Sequence, residues 1–133
     1  MKSSISSGST FVLTTRKVLV KKADIVFSIY IRKRGETFGY NHCYTCGKYL
    51  PVEELQAGHF IPRRFTNVRW HPLNVWPQCH TCNVDKHGNL EIYERKLTAQ
   101  FSALAIEALW DLAHTNDGLP EIEIKDIIKK YKT

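Results

Sequence analysis

The stretch that decides the fold begins at Cys43-Tyr44-Thr45-Cys46 and ends at Cys79-His80-Thr81-Cys82. These two Cys-x-x-Cys pairs contain all the cysteines of the chain. Two residues between cysteines let both thiolates of a tight turn reach one tetrahedral ion, and four thiolates make a closed zinc site. The spacing therefore predicts structural Zn²⁺ bound by Cys43, Cys46, Cys79 and Cys82.

The number of pairs and the distance between them distinguish this metal-binding pattern from a redox pair and from a zinc ribbon. A redox Cys-x-x-Cys pair stands alone near a βαβ pattern, which this chain lacks, and thiols in the cytosol stay reduced. Residues 47 to 78 form a longer insert than the roughly 15–20 residues of a zinc ribbon. We predict two strands within this insert, from Val52 to Phe60 and from Leu73 to Trp76, the second ended by Pro77.

Helical periodicity flanks the cysteine segment on both sides. Apolar residues from 17 to 34 recur at helical spacing and predict a helix that ends near Gly35. A second helical pattern follows Cys82, with an interruption at Gly88-Asn89 and a break between Thr98 and Ser102. A turn at residues 116 to 118 precedes Pro120, which can open a final helix.

The predicted fold is α+β, with N- and C-terminal α-helices around a zinc-bound core. Residues 1–15 are Ser-rich and predict a flexible tail, and residues 16–133 form one domain with the zinc core at 43–89. The length of 133 residues fits a single domain, and 43% hydrophobic residues can supply a core.

The charge of the chain favours a polyanionic partner. Lys and Arg outnumber Asp and Glu by 19 to 13, a net charge of +6, which indicates nucleic acid before membrane. A basic protein without such a partner is the alternative. No apolar run approaches the ~20 residues of a membrane span, and the N-terminus lacks the apolar core of a signal peptide. We therefore expect a cytoplasmic location and no membrane partner.

Three residues of this segment suit metal and acid–base chemistry. His59 ends the first predicted strand, Asn83 follows Cys82 directly, and His87 is four residues further, on the same helical face. An amide oxygen and an imidazole nitrogen can both bind a divalent metal. The alternatives are a buried, hydrogen-bonded His59, an N-cap role for Asn83, and a His87 that lies beside DNA without binding metal.

The same residues carry a family resemblance. A histidine at a strand end, an asparagine in the following loop and Cys-x-x-Cys-Asn-x-x-Lys resemble the HNH, or ββα-metal, nucleases. A larger resemblance, over about residues 23 to 97, is to the phage NinG (Rap) recombination proteins. Its most specific phrase is Ala57-Gly58-His59-Phe60-Ile61-Pro62-Arg63-Arg64. Other phrases are Phe27-Ser28-Ile29-Tyr30-Ile31-Arg32, Cys43-Tyr44-Thr45-Cys46-Gly47-Lys48 and Asn74-Val75-Trp76-Pro77-Gln78-Cys79.

The resemblance implies a treble-clef zinc frame that holds a β-hairpin and a helix, with catalytic Mg²⁺ or Mn²⁺ against the scissile phosphate. His59 matches the general base, and Asn74 matches the asparagine expected to fix the hairpin loop and orient that base. Asn83 matches a ligand of the catalytic metal. One departure is Gly58, since many HNH enzymes have Asp or His there as a second ligand. We expect His87, Gln56 or water to replace it, because Mg²⁺ commonly keeps several waters.

Basic residues near these positions predict contacts with DNA phosphates. Arg63, Arg64 and Arg69 follow His59 on the loop, and Lys86 follows Asn83. Arginine forks pair with phosphate oxygens without reading sequence. Trp70 is a candidate for stacking on an unpaired base, and Trp76 is expected in the core.

Three functions are consistent with these features. The resemblance favours a DNA endonuclease of phage recombination that cuts branched DNA, such as Holliday junctions or D-loops. A nonspecific HNH nicking enzyme is the second, and a zinc-dependent DNA-binding module without catalysis is the third. A homodimer would suit two matched cuts, and phage or host recombination proteins are further candidate partners.

Overall fold

The computed structural model describes residues 3–115 and 118–132, with side chains from residue 15 onward. Within these residues, two small antiparallel hairpins lie among five α-helices, so the predicted α+β class is confirmed. A 3₁₀ turn covers Val52–Glu54 and a π-helical turn covers Thr81–Asp85. The strands are β1 (Tyr40–His42), β2 (Tyr49–Pro51), β3 (Leu55–His59) and β4 (Val75–Cys79). The helices are α1 (Ser3–Lys33), α2 (Thr66–Arg69), α3 (Leu90–Phe101), α4 (Ala103–Ala113) and α5 (Glu121–Tyr131).

The two hairpins place the cysteine turns and the histidine. Strands β1 and β2 enclose the first cysteine pair, with His42 opposite Tyr49. Strands β3 and β4 pair from Leu55 opposite Cys79 to His59 opposite Val75. The second cysteine pair therefore starts at one end of the β3–β4 hairpin, and His59 lies at the other end, where the connecting loop begins.

Strand β4 runs past the proline that was predicted to end it. Pro77 pairs with Ala57 inside the ladder, and the strand continues to Cys79. Proline is tolerated in a strand where its missing N–H faces away from the ladder. The described residues pair β4 with β3 alone, and the Pro77 carbonyl accepts a hydrogen bond from the Tyr44 amide at 2.7 Å. The prediction failed because it did not consider an edge strand.

The β3–β4 hairpin is held between two apolar layers. On one side, α1 and α5 pack through a cluster built from Ala23, Phe27, Ile31, Trp70, Val75, Ile124 and Tyr131. On the other side, helices α2, α3 and α4 pack with two residues of the loop after β3, in a cluster of Phe60, Ile61, Val68, Tyr93, Leu97, Ile106 and Leu109. The two layers contact the loop end of the hairpin, so residues near His59 rest on a packed support. Leu55 and the cysteines at the other end form a third, separate cluster.

The predicted helices agree with the structure in most of their bounds. Helix α1 ends at Lys33, near Gly35, and α5 begins after Pro120. The predicted break between Thr98 and Ser102 occurs at Ser102, whose φ of 117° interrupts the helix and whose hydroxyl caps α4 by accepting from the Ala105 amide. No helix among the described residues is long and apolar enough to span a membrane.

Two predictions concern residues at the edge of the described structure. Helix α1 begins at Ser3, whereas the sequence predicted a helix from Lys17 after a flexible tail. The backbone of residues 3–15 belongs to α1. Residues 1 and 2 and the side chains of residues 3–14 lie outside the described residues, so the flexibility of this tail stays a prediction. The predicted turn at 116–118 includes Asn116 and Asp117, which also lie outside.

Candidate active site

The four cysteine sulfurs lie within 4.8 Å of one another, as the sequence predicted. The Cys46 and Cys79 sulfurs are 3.7 Å apart. Tetrahedral zinc with Zn–S bonds of about 2.3 Å requires sulfur–sulfur edges of roughly 3.8 Å. The donor set therefore fits one tetrahedral ion such as zinc, and Cys43, Cys79 and Cys82 are buried.

Hydrogen bonds to the cysteine sulfurs stabilise their ionised, thiolate form. The amide of Cys46 donates to the Cys43 sulfur at 3.5 Å, and the amide of Cys82 donates to the Cys79 sulfur at 3.4 Å. The Asn89 side chain donates to the Cys82 sulfur at 3.6 Å. Donors around metal ligands orient them and stabilise the ionised form.

The pKa values of two of the four cysteines are shifted in opposite directions. Burial raises the pKa of Cys43, but hydrogen bonds from the Thr45 hydroxyl and from backbone amides outweigh it, and the pKa falls to about 6. The pKa of Cys46 is raised to about 12 by burial and by the sulfurs of Cys43 and Cys79. One thiolate thus makes its neighbours harder to ionise, so four thiolates require a bound cation.

His59 faces a cavity of about 790 Å³ at the loop end of the β3–β4 hairpin. Its ring donates from Nε2 to the backbone carbonyl of Arg69 at 2.8 Å. Because a carbonyl can only accept, Nε2 must carry the proton, and the neutral ring keeps the lone pair on Nδ1. Asn83 and His87 line the same cavity, so the structure brings these three predicted residues together.

Burial lowers the pKa of His59 to about 4 and outweighs the Arg69 carbonyl, which raises it. The ring is therefore neutral at pH 7 and can accept a proton. In the unfolded chain the ring has a pKa of 6.5, so as pH falls it is protonated in the unfolded state before it is protonated in the folded state. His59 therefore lowers the free energy of unfolding as pH falls from about 6.5 to 4.

We expect NMR titration of the His59 ring to give a midpoint near pH 4, with the Nε2-protonated tautomer at pH 7. Burial explains the low midpoint, and donation from Nε2 to the Arg69 carbonyl explains the tautomer. Long-range ¹H–¹⁵N spectra report the tautomer directly. A His59 midpoint near 6.5 would contradict the buried environment.

Asn74 fixes the loop that connects β3 and β4. Its fully buried side chain accepts from the Ile61 amide at 2.7 Å and donates to the carbonyls of Ile61 and Val68, each at 3.0 Å. Its backbone carbonyl accepts from the Phe60 amide, next to His59. The side chain therefore cannot contact a substrate, and its geometry is that of a positioning residue.

Asn83 presents its amide beside β3. The side-chain nitrogen donates to Gln56 Oε1 at 2.7 Å, which leaves the oxygen Oδ1 on the other branch of the amide. Gln56 also donates to His80 Nδ1 at 3.2 Å, so both ends of Gln56 are engaged, and its proposed use as a metal ligand is disfavoured. The residue before the turn at Thr81–Asp85 is His80, so the N-cap alternative for Asn83 is wrong.

The predicted helical face shared by Asn83 and His87 does not exist. The π-helical turn ends at Asp85, His87 adopts a left-handed φ of 50°, and α3 begins only at Leu90. The Asn89 side chain lies toward the Cys82 sulfur, and this contact accompanies the interruption at Gly88-Asn89. His87 is nevertheless exposed at the cavity, and its neighbour Lys86 is exposed as well.

Gly58 is required by packing and leaves no room for a second ligand. A Cβ at this position would lie 1.9 Å from Oε1 of Gln78. Gln78 is fully buried and cannot withdraw easily, because its Nε2 donates to the Thr45 hydroxyl and the Gly88 carbonyl. The glycine at this position is thus a consequence of packing against the neighbouring strand.

The cavity holds no ready-made cluster of metal-binding side chains. Among the described residues, only the four cysteines form a group of three or more His, Cys, Asp or Glu donors. The donors that the sequence predicted at the cavity are the Asn83 oxygen and the His87 ring. The carboxylates of Glu53 and Asp24 also line it, and that of Asp24 already accepts hydrogen bonds from Arg69 and Trp70. Such a sparse set fits a hard divalent ion that keeps most of its waters.

Asp24 is the residue that the sequence analysis missed as part of the site. Its carboxylate accepts two hydrogen bonds from Arg69, at 3.0 and 2.6 Å, and one from Trp70 Nε1 at 3.0 Å. Arg63 Nη1 lies 3.9 Å away. Since these contacts join α1 to a loop more than forty residues away, no local pattern could have indicated them.

The Asp24 contacts change the predicted DNA-binding set. Arg69 is committed to Asp24 and is therefore a poor phosphate contact. Trp70 is only 3% exposed, so the prediction that it stacks on an unpaired base is wrong. Arg63 and Arg64 are exposed, and Arg63 lines the cavity beside His59.

Comparison with known proteins places this chain in a family. The model of the Bacteriophage Lambda NinG protein family matches residues 10–133. The chain belongs to the NinG family. The ninG protein of Escherichia phage lambda is 28% identical over 98 residues, which cover 73% of this chain and 46% of that protein.

Other NinG relatives agree with this assignment. The ninG proteins of Escherichia phage 933W and Salmonella phage P22 are each 26% identical over 121 residues, or 90% of this chain. They are covered over 58% and 57% of their lengths, respectively. The chain thus spans about half the length of the curated NinG relatives it matches. No solved structure matches it.

Proposed function

We propose that this chain is a metal-dependent DNA endonuclease of the HNH, ββα-metal type that acts in phage recombination. The observation that carries the proposal is the environment of the His59 ring. The ring is neutral at pH 7 and donates a hydrogen bond from Nε2, and it lines the same cavity as Asn83 and His87. A general base needs an available lone pair and a fixed orientation.

The proposed chemistry is hydrolysis of a phosphodiester. His59 Nδ1 takes a proton from water, the water oxygen attacks phosphorus, and the bond from phosphorus to the 3′ oxygen breaks. Asn74 holds the loop against which the His59 ring is oriented, and Arg63 contacts the phosphate. Mg²⁺ or Mn²⁺, when bound by Asn83 and His87, supplies charge stabilisation for the phosphate and the leaving oxygen.

The structural metal of this proposal is zinc. Cys43, Cys46, Cys79 and Cys82 hold it in a treble-clef-like arrangement, in which the first pair lies in the β1–β2 hairpin and the second opens the turn that carries Asn83. Because the zinc ligand Cys82 directly precedes Asn83, the zinc frame sets where that amide lies. The frame thus supports the catalytic residues without taking part in the reaction.

A cleavage assay tests the proposal. The chain, loaded with zinc, is incubated with a four-way junction, a D-loop and a linear duplex of the same sequence, with Mg²⁺, with Mn²⁺ or with neither. We expect metal-dependent cutting with preference for the branched substrates. Equal cutting of all three would favour the nonspecific nicking enzyme, and binding without cutting would favour the non-catalytic module.

A further inference from the structure

The positive charge of this protein is concentrated in the second half of α1 and the residue that follows it. Between residues 16 and 34 the chain has seven cationic residues and one acidic residue, Asp24, a net charge of +6 (7 − 1). The whole chain also has a net charge of +6, so the remaining residues balance, with twelve cationic (19 − 7) and twelve acidic (13 − 1). The cations are Arg16, Lys17, Lys21, Lys22, Arg32, Lys33 and Arg34.

One face of α1 connects this charge to the candidate active site. Lys17 and Lys21 line a cavity of about 460 Å³ that also contacts Asp24 and Arg69. Asp24 also lines the larger cavity that contains His59, as do Ser28 and Arg32 further along α1. The two cavities therefore share Asp24, and the face from Lys17 to Arg32 extends for about 22 Å at 1.5 Å per residue.

The two lysines at the start of this face are available to a ligand. Lys17 and Lys21 are exposed, and neither forms a salt bridge with any residue whose side chain is described. They are four residues apart on a helix, where like charges repel. The carboxylate of Asp24 does not oppose an anion strongly, since Arg69 binds it at 2.6 Å and Arg63 lies nearby.

We propose that α1 is the main phosphate-binding surface of this protein, with Lys17 and Lys21 contacting the DNA backbone beside the strand that enters the His59 cavity. The inference rests on the proposed nuclease function and specifies how its substrate is held. A length of about 22 Å spans roughly six phosphates of one B-form strand, at 3.4 Å per phosphate along the axis. The contacts are electrostatic and do not read base sequence.

The test is the salt dependence of DNA binding by Lys17→Gln/Lys21→Gln. Affinity for a fluorescein-labelled 30-base-pair duplex and for a four-way junction is measured at several NaCl concentrations, with zinc bound and Mg²⁺ omitted so that no cutting occurs. Each lost phosphate contact lowers the slope of log K against log[salt] by about 0.9. We expect the slope to fall by about 1.8 and affinity at 0.1 M salt to fall at least tenfold on both substrates.

A matched control is present on α5. Lys125→Gln/Lys129→Gln removes two exposed lysines with the same spacing from a helix that carries three acidic and three basic residues. We expect this control to bind like the wild type. Glutamine removes the charge and has a helix propensity close to that of lysine, and circular dichroism verifies the fold of both double variants.

Each outcome separates the inference from the proposed function. If the wild type binds and cuts DNA while Lys17→Gln/Lys21→Gln leaves the slope unchanged, the role of α1 is overturned and the nuclease stands. An equal loss in the α5 control would also overturn it, because net charge alone would explain the effect. If the wild type binds DNA through these lysines but cuts no substrate, the binding surface is supported and the nuclease fails.

Discussion

Cys79→Ser is expected to abolish zinc binding and to unfold the centre of the protein. Cys79 ends β4, is buried, and its sulfur lies 3.7 Å from that of Cys46. Structural zinc contributes apparent free energies of about 10–16 kcal/mol in small zinc domains, which is comparable to the whole stability of about 5–15 kcal/mol of a typical domain. Serine supplies no thiolate, so loss of this ligand removes most of that contribution.

The measurement is zinc content by elemental analysis, combined with thermal unfolding followed by circular dichroism. Wild-type protein treated with a strong chelator is the matched comparison, since it loses the ion without a mutation and should unfold similarly. Thr81→Ser, a conservative change between the same two cysteines, should retain zinc. A Cys79→Ser protein that stayed folded and free of metal would contradict the zinc-frame hypothesis.

His59→Ala is expected to lower cleavage by roughly 10²–10⁴-fold, the usual range for loss of a general base. Zinc content should be unchanged, because the sulfur cluster lies at the opposite end of the β3–β4 hairpin. DNA affinity should change by less than twofold, since neutral His59 carries no charge to attract phosphate. Single-turnover cleavage of a junction with Mg²⁺ measures the chemical step directly.

A second variant at this position separates catalysis from structure. His59→Gln can still donate a hydrogen bond to the Arg69 carbonyl, but an amide cannot accept a proton from water at neutral pH. We expect it to fold like the wild type and to be as inactive as His59→Ala. If His59→Gln cut DNA at the wild-type rate while His59→Ala failed to fold, the histidine would be structural and the proposed general base would be wrong.

The four-cysteine cluster and the outer helices were predictable because their signals are local. Two residues between cysteines determine which turns can present paired thiolates, and the four sulfurs indeed lie together. Helical periodicity likewise predicted the end of α1 near Gly35 and the break at Ser102. It also predicted the interruption at Gly88-Asn89, after which α3 begins at Leu90. It did not predict that the turn at Thr81–Asp85 is π-helical or that His87 has a left-handed φ.

The immediate surroundings of His59 depended on contacts between distant parts of the chain. Asp24 on α1 binds Arg69 and Trp70, so two residues that looked like DNA contacts are engaged within the protein. Gln78 fills the space beside Gly58, which excludes a second ligand there. These outcomes follow from packing across α1, β3 and β4, which residue spacing does not encode.

The sequence by itself determined the metal-binding pairs, the positions of most elements and the residue types at the site. The tertiary structure decided which of those side chains face the cavity and which are used in holding the loop. The physical reason is that thiolate spacing and helical periodicity act over a few residues, whereas burial, hydrogen-bond partners and the pKa of His59 are set by segments that meet only on folding.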